Sequence, residues 1–289
     1  MTRELSPASD WCQRWSPGRR HSWRHRHEGG FDRDRYGVTP LPEADAKTFV
    51  TGLHYSGTYP AAVHRYGLWD VKTSPRLVGV AVLSVPTNRR TLTNAFPHLD
   101  AYSQSLELGR FVLTDDVPGN GETFFLAEAF RLAAEQGVRG LVSFADPLPR
   151  TTIDGHTVFT GHRGAIYQAA NADYAGRSTA GTRVLLPDGT TLSNRALAKV
   201  TKGECGHEYV ERLLISHGAA PRLPDQSGAD WLRQARAEAH VRTLHHPGNH
   251  RYLFRLGTKA QRRRVTIAMP AQPYPKDRTC RQAAGQVAA

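Results

Sequence analysis

The stretch from Ser105 to Gly137 constrains this chain most. SLELGRFVLTDD (105–116) carries the alternation of a strand, PGNG (118–121) is a glycine-rich turn, and ETFFLAEAFRLAAEQG follows as a helix. Leu126, Ala129, Phe130 and Ala133 recur at helical spacing, and Gly137 stops the helix. RGLVSFADP (139–147) then reads as a short buried strand ending at Pro147. Strand, glycine turn, helix and strand in that order predict an α/β fold with its chemistry at strand ends. Within the first strand, Leu106, Leu108, Arg110, Val112 and Thr114 alternate with Glu107, Gly109, Phe111, Leu113 and Asp115. Strict alternation therefore puts Arg110 with Leu106 and Leu108, opposite Phe111.

The flanking segments extend the pattern. PEADAKTFVTGL (42–53) suits a helix start, the turn HYSGTYP (54–60) follows it, and 64–71 and 76–85 read as strands separated by TSP. AIYQAANADYAG (165–176) reads as a helix closed by Gly176. Residues 181–248 read as an inserted unit, a hairpin turning at Asp188-Gly189 followed by three short helices. NHRYLFRLG (249–257) alternates like a strand returning to the core formed by 37–180, and 258–289 reads as a basic, partly disordered tail. Residues 1–36, rich in Trp, Arg and His, show neither helical nor strand periodicity and read as an irregular arm.

Charge divides along the same lines. The 289 residues carry a formal net charge of +12, which points to a polyanionic partner. Residues 236–289 hold eleven Lys and Arg against two Asp and Glu, whereas residues 37–180 are slightly acidic, with twelve against thirteen. A near-neutral body with basic ends suits a catalytic core with nucleic-acid-contacting flanks. Arg19, Arg20, Arg24 and Arg26, interleaved with Trp11, Trp15 and Trp23, and Arg262, Arg263 and Arg264 are the expected DNA contacts. No apolar run approaches the roughly 18 residues of a membrane helix and the first residues lack a signal-peptide core, so a soluble protein of the cytoplasm is expected. Three widely spaced cysteines indicate neither a disulfide framework nor a cysteine zinc site.

Three groups of residues can carry chemistry. The turn containing Gly119, Asn120, Gly121 and Glu122 leads into a helix N-terminus, where backbone N–H groups can hold an anion of a cofactor, although the same residues also make an ordinary helix entry. It lacks the Lys-Ser/Thr of an NTP-binding loop and the spacing of a dinucleotide fingerprint. Ser143 and Asp146 at a strand end, with His162, Tyr167 and Gln168 at the following helix start, gather proton-handling groups at one sheet edge. No GxSxG elbow is present, which disfavours a serine hydrolase. His54 and Tyr55 lie in the 54–60 turn, either as functional groups or as aromatic packing.

LELGRFVLTDDVPGNGETFFLAEAFRLA, GLVSFADP and GHRGAIYQAANADYAG, preceded by HYSGTYP and followed by HRYLFRLG, together resemble the phage Mom DNA-modification family. That family is similar to GNAT acyltransferases in fold, so the resemblance implies a mixed α/β sheet flanked by helices. It also implies transfer of an acyl or carbamoylmethyl-type group to the exocyclic 6-amino group of adenine in DNA, protecting phage DNA from restriction. Arg110, Ser143, Asp146 and Tyr167 fall in family motifs near the active centre, with His54 and Tyr55 in the upstream motif. The resemblance further implies a DNA partner, an activated acyl-CoA-like or glycine-derived donor, iron with His54 as a ligand, and a phage- or prophage-encoded protein in a bacterial host.

An adenine amine is a weak nucleophile because its lone pair is delocalised into the ring. Its acylation needs a base for the departing proton and donors for the developing charge. Asp146 or Tyr167 is the expected base, Ser143 or backbone N–H groups the donors, and Arg110 a group that neutralises a donor phosphate or orients substrate. The departure of PGNGET from the full pyrophosphate loop of acetyl-CoA enzymes leaves the donor open. Two other readings fit the same residues: an N-acyltransferase acting on a small or protein amine, and an inert DNA-binding accessory protein.

Overall fold

A computed structural model describes residues 31–275, together with the backbone strands Trp11–Ser16 and Arg20–His25. In chain order, β1 (Trp11–Ser16), β2 (Arg20–His25) and β3 (Tyr36–Pro40) precede α1 (Glu43–Leu53). β4 (Ala62–Asp70), β5 (Arg76–Ser84), α2 (Arg90–Thr93), β6 (Ser105–Leu113), α3 (Gly121–Glu135) and β7 (Gly140–Ala145) follow. Next come β8 (Arg150–Thr151), β9 (Thr157–Phe159), α4 (Ala165–Ala169), β10 (Asp173–Arg177), β11 (Gly181–Leu185) and β12 (Thr191–Leu192). The last elements are α5 (Asn194–Lys202), α6 (Glu208–Ile215), α7 (Gly228–Glu238), β13 (Arg242–His246), β14 (His250–Arg255) and α8 (Lys259–Arg264). Among the described residues, no helix is long and apolar enough to cross a membrane.

Two compact units emerge. The first takes residues 1–145, 163–176 and 250–289, and the second takes 146–162 and 177–249. The second is thus larger than the 181–248 insertion expected from sequence, because the β8–β9 ribbon belongs to it.

The first unit is the mixed α/β sheet that the resemblance implies. Its seven strands lie in the order β10-β14-β7-β6-β5-β4-β3. β6 and β7 are parallel, which requires a crossover, and α3 supplies it. The pairs β3–β4, β4–β5, β5–β6 and β7–β14 are antiparallel. Both faces are covered. Leu106, Leu108, Leu113 and Leu141 pack with Phe125, Leu126 and Ala129 of α3, while Val80, Val82 and Val112 pack with Ala46 and Val50 of α1. Each fully buried Leu or Phe of this kind contributes roughly 2–5 kcal/mol against truncation to Ala.

β6 departs from strict alternation. Val82 pairs with Arg110 but Leu83 pairs with Leu108, so Gly109 is an extra residue, a β-bulge. Leu106 and Leu108 before it, and Phe111 and Leu113 after it, consequently pack in one cluster, while Val112 belongs to the opposite face. The expected grouping of Arg110 with Leu106 and Leu108 is thereby corrected: Glu107 and Arg110 share a side. A Cβ at Gly109 would run into the Ser84 hydroxyl, which accounts for glycine at the bulge.

Three other expectations change. The helix read over 165–176 ends at Ala169; Asn171 takes a positive φ of 58° and Asp173 begins β10. Residues 258–275 of the expected tail are ordered: α8 has a Thr258/Gln261 capping box, and Val265 packs with Leu92, Phe96 and Leu253. The arm read as irregular holds an antiparallel ribbon in which Trp11 opposes His25, Gln13 opposes Trp23 and Trp15 opposes His21. Pro17 and Gly18 fall between its strands in the sequence instead of breaking them.

The second unit has its own core. The sheet β12-β11-β13 turns at Asp188-Gly189, where the Asp188 carboxylate accepts the Thr190 N–H at 2.8 Å. Ser193 and Ser227 cap α5 and α7. Trp231, Val200, Leu214 and Leu186 fill the interior, and the Trp231 indole N–H donates to the Ala220 carbonyl at 2.9 Å.

Candidate active site

β6 and β7 pair only over Ser105–Glu107 and Gly140–Val142. Beyond that point their facing edges are no longer paired to each other, and the fork holds polar groups. On β7, fully buried Ser143 donates from Oγ to the Leu108 carbonyl at 3.4 Å, and it stands close enough to Tyr167 to lower that phenol's pKa. Tyr167 comes from α4 and is itself buried.

The GHRGAIYQ motif explains how Tyr167 is held. Gly164 has φ 72°, and a side chain there would collide with the rings of Tyr167 and Tyr252. The Tyr167 ring packs 5.4 Å from Tyr252 and edge-on to Phe254 at 6.1 Å. The Gln168 amide donates to the Tyr252 hydroxyl at 3.0 Å, and that hydroxyl donates to the Arg163 carbonyl. Burial raises the Tyr167 pKa; the Ser143 hydrogen bond and the positive charge of Arg110 oppose that rise, and the negative charge of Glu107 adds to it. With its pKa raised, Tyr167 is a neutral phenol at physiological pH.

Arg110 anchors the upstream motif. Its Nε donates to the Thr58 carbonyl at 2.9 Å, Nη2 to the Thr58 hydroxyl at 2.7 Å, and Nη1 to the Gly109 carbonyl at 2.5 Å. Burial lowers its pKa, while Tyr55, Glu107 and Tyr167 raise it, so one guanidinium is coupled to three acidic groups. His54 caps the end of α1 and lies 4.3 Å from the Tyr55 ring. The structure thus brings Arg110, Ser143 and Tyr167 together, with Tyr55 electrostatically linked to them through Arg110.

Glu107 escaped the sequence reading. Its carboxyl pKa is raised by burial and lowered by Arg110, and the carboxylate has no hydrogen-bond partner among the described residues. The sequence signal was present in LELGR, an acid three residues before an arginine. Only the bulge at Gly109 puts the two on one side.

Asp146 belongs to the second unit. One oxygen accepts from His246 Nε2 at 2.9 Å and from the Leu148 N–H at 2.9 Å, and the other lies 3.6 Å from Arg150 Nη2. His246 is buried, and its Nδ1 accepts the Gly248 N–H at 3.0 Å, which leaves Nε2–H to donate to Asp146. His162, in the same unit, donates its backbone N–H to the Asp146 carbonyl at 2.7 Å.

The glycine turn builds a helix entry. Asn120 has a left-handed φ of 71°, the Gly121 N–H donates to the Pro118 carbonyl at 3.1 Å, and the Thr123 hydroxyl donates to the Asn120 carbonyl at 3.0 Å. Gly119 and Glu122 flank these residues, Glu122 in the first turn of α3. Around His54, the ring Nδ1 accepts the Ser56 N–H at 3.2 Å and lies 2.9 Å from the Ser56 hydroxyl. Among the described residues, no group of three His, Cys, Asp or Glu side chains is placed to hold a metal ion. Arg20 and Arg24 fall on β2, Arg19 and Arg26 lie outside the described residues, and Arg262, Arg263 and Arg264 form the last turn of α8.

A mixed sheet with one parallel fork, helices on both faces and an arginine–tyrosine–serine cluster at the opening define a mixed α/β protein with a candidate site at a strand fork. The chain belongs to the Mom protein family, whose model matches residues 35–276. No curated protein matches it. Among solved structures it is similar to a Bacillus subtilis acetyltransferase in complex with CoA, at 10% identity over 77% of this chain and 99% of the other, with a TM-score of 0.32. It is also similar to a tandem GNAT protein from the clavulanic acid biosynthesis pathway, at 12% identity over 73% and 70%, TM-score 0.33. A KacTA–DNA complex matches at 22% identity over 38% of this chain and 75% of the other, TM-score 0.26.

Proposed function

We propose that this protein is a DNA-modifying transferase that attaches an acyl or carbamoylmethyl-type group to the 6-amino nitrogen of adenine. The observation that carries the reading is the fork between β6 and β7, where Glu107, Arg110, Ser143 and Tyr167 converge in a chain of the Mom family. An unpaired carboxylate is the group needed to take a proton from a weakly nucleophilic amine, so Glu107 is assigned as base in place of Asp146. As the amine nitrogen bonds to the donor carbon, its proton passes to Glu107, and the bond from that carbon to the leaving group breaks. Tyr167, neutral and oriented by Ser143, supplies a proton to the departing group, and Arg110 stabilises the negative charge that develops.

The separated edges of β6 and β7 offer backbone N–H and C=O groups to an extended, amide-bearing donor such as an acyl-CoA-like molecule. The turn at Gly119–Glu122 leaves the end of β6 toward which the fork opens, and the α3 N-terminus suits the anionic part of that donor. Adenine stacked in a duplex is out of reach, so the target base is flipped while the basic flanks hold the phosphates. A role in protecting phage DNA from restriction, in the cytoplasm of a bacterial host, follows from the same reading.

The test is co-expression with a plasmid, digestion of the plasmid to nucleosides, and mass spectrometry. A mass-shifted deoxyadenosine that disappears with E107Q supports the proposal. Unmodified deoxyadenosine from cells making soluble, folded protein overturns it.

A further inference from the structure

Beside the active site, the first unit carries a groove of about 1160 Å³, larger than most small-molecule pockets. It runs along α3 from Thr123 to Glu135, twelve residues or roughly 18 Å of helix, and is closed on its far side by the end of β14 and by α8. Leu126, Phe130 and Phe254 give it an apolar floor. Six cations line it, Arg131, Arg139, Arg255, Lys259, Arg262 and Arg263, against two acids, Glu135 and Asp173. Both acids are already paired, Glu135 with Arg131 at 2.6 Å and Asp173 with Arg255 at 2.7 Å. Lys259, Arg262 and Arg263 make no ion pair among the described residues and are exposed.

We infer that this groove is a track for the phosphodiester backbone of duplex DNA flanking the target adenine. Charge complementarity carries the assignment. Three uncompensated cations project from one short helix along the trough, where they can meet successive phosphates of one strand. Arg139 extends the row, its Nη1 held by the Ala134 and Val138 carbonyls at 2.6 and 2.9 Å. The trough begins at Thr123, in the first turn of α3, so DNA lying in it leads back to the end of the helix that starts beside the fork. The inference rests on DNA being the substrate, and it assigns grip to α8 while leaving chemistry to the fork.

Fluorescence anisotropy of a labelled 30-base-pair duplex, titrated with the full chain at several NaCl concentrations, tests it. K259Q/R262Q/R263Q is expected to make the slope of log affinity against log salt shallower by about 2.7, since each lost phosphate contact removes about 0.9. R89Q/R90Q, which removes two exposed cations outside the groove, is expected to leave the slope nearly unchanged. A127W fills the trough from an exposed position on α3 and is expected to weaken binding several-fold without a comparable change in slope. Parent binding with no change in the triple variant, or an equal loss in R89Q/R90Q, overturns the groove and leaves the DNA reading intact. A parent chain with no affinity for DNA overturns both.

Discussion

Arg110 and Thr58 are joined twice, through the Thr58 carbonyl at 2.9 Å and the Thr58 hydroxyl at 2.7 Å, across 52 residues of sequence. The strand that lines the fork therefore fixes the loop bearing His54 and Tyr55. A lysine cannot make both bonds from one planar head. R110K is expected to lower the modification rate at least tenfold, and T58A, which removes only the hydroxyl partner, to cost about 1 kcal/mol of stability with a smaller loss of rate. Plasmid modification levels and thermal melting of the two variants separate these outcomes.

Glu107 gives the pH dependence a sign. Burial raises its folded-state pKa above that of the unfolded chain, so the stability associated with its protonated form is present below the ordinary carboxylate range and is lost as pH rises through the folded value. As pH rises the parent must ionise a carboxyl whose charged form burial disfavours. E107Q is accordingly expected to melt several degrees above the parent at pH 7.5, with the gap closing in acid, while its modification activity falls at least a hundredfold. Melting curves from pH 4 to 8 check the first part; an E107Q that melts below the parent at neutral pH contradicts it.

Much of the sheet was legible because hydrophobic alternation and glycine turns report local structure. Tyr167 and Arg110 were found as polar groups in an apolar pattern, but their roles were not, because those depend on neighbours far away in sequence. Burial among Tyr252 and Phe254, more than 80 residues on, keeps Tyr167 a neutral phenol. Glu107 stayed hidden because strict alternation placed it opposite Arg110, and a bulge is a tertiary event set by how Ser84 meets Gly109. Residues 173–177 misread as helix for a similar reason: Ala and Tyr suit either state, and the positive φ of Asn171 decides. α8 looked like tail because charge dominates its composition, while Thr258 and Gln261 carried the capping signal.

The pairing of Asp146 with His246 predicts a structural phenotype. Asp146 accepts from His246 and the Leu148 N–H on one oxygen and faces Arg150 with the other, so its removal leaves a buried imidazole N–H without its acceptor. D146A is expected to cost about 2–4 kcal/mol. H246A is expected to cost a similar amount, and the double variant less than the sum, as befits residues in contact. Folded D146A should retain modification activity within about tenfold of the parent, in contrast to E107Q. A hundredfold loss in well-folded D146A would return the role of base to Asp146.

Gly109 tests the bulge itself. Because a Cβ there meets the Ser84 hydroxyl, G109A must push Ser84 aside or flatten the bulge, and overpacking of this kind costs about 1–3 kcal/mol. Removing the hydroxyl should make room, so S84A/G109A is expected to recover at least half of that loss although S84A alone is close to neutral. The bulge also puts Glu107 and Arg110 on one side of β6, and any flattening separates them. G109A is therefore expected to lose more modification activity than its loss of folded protein explains, with S84A/G109A restoring both together. Recovery of stability without recovery of activity would mean that the shared side of Glu107 and Arg110 is not what the reaction needs.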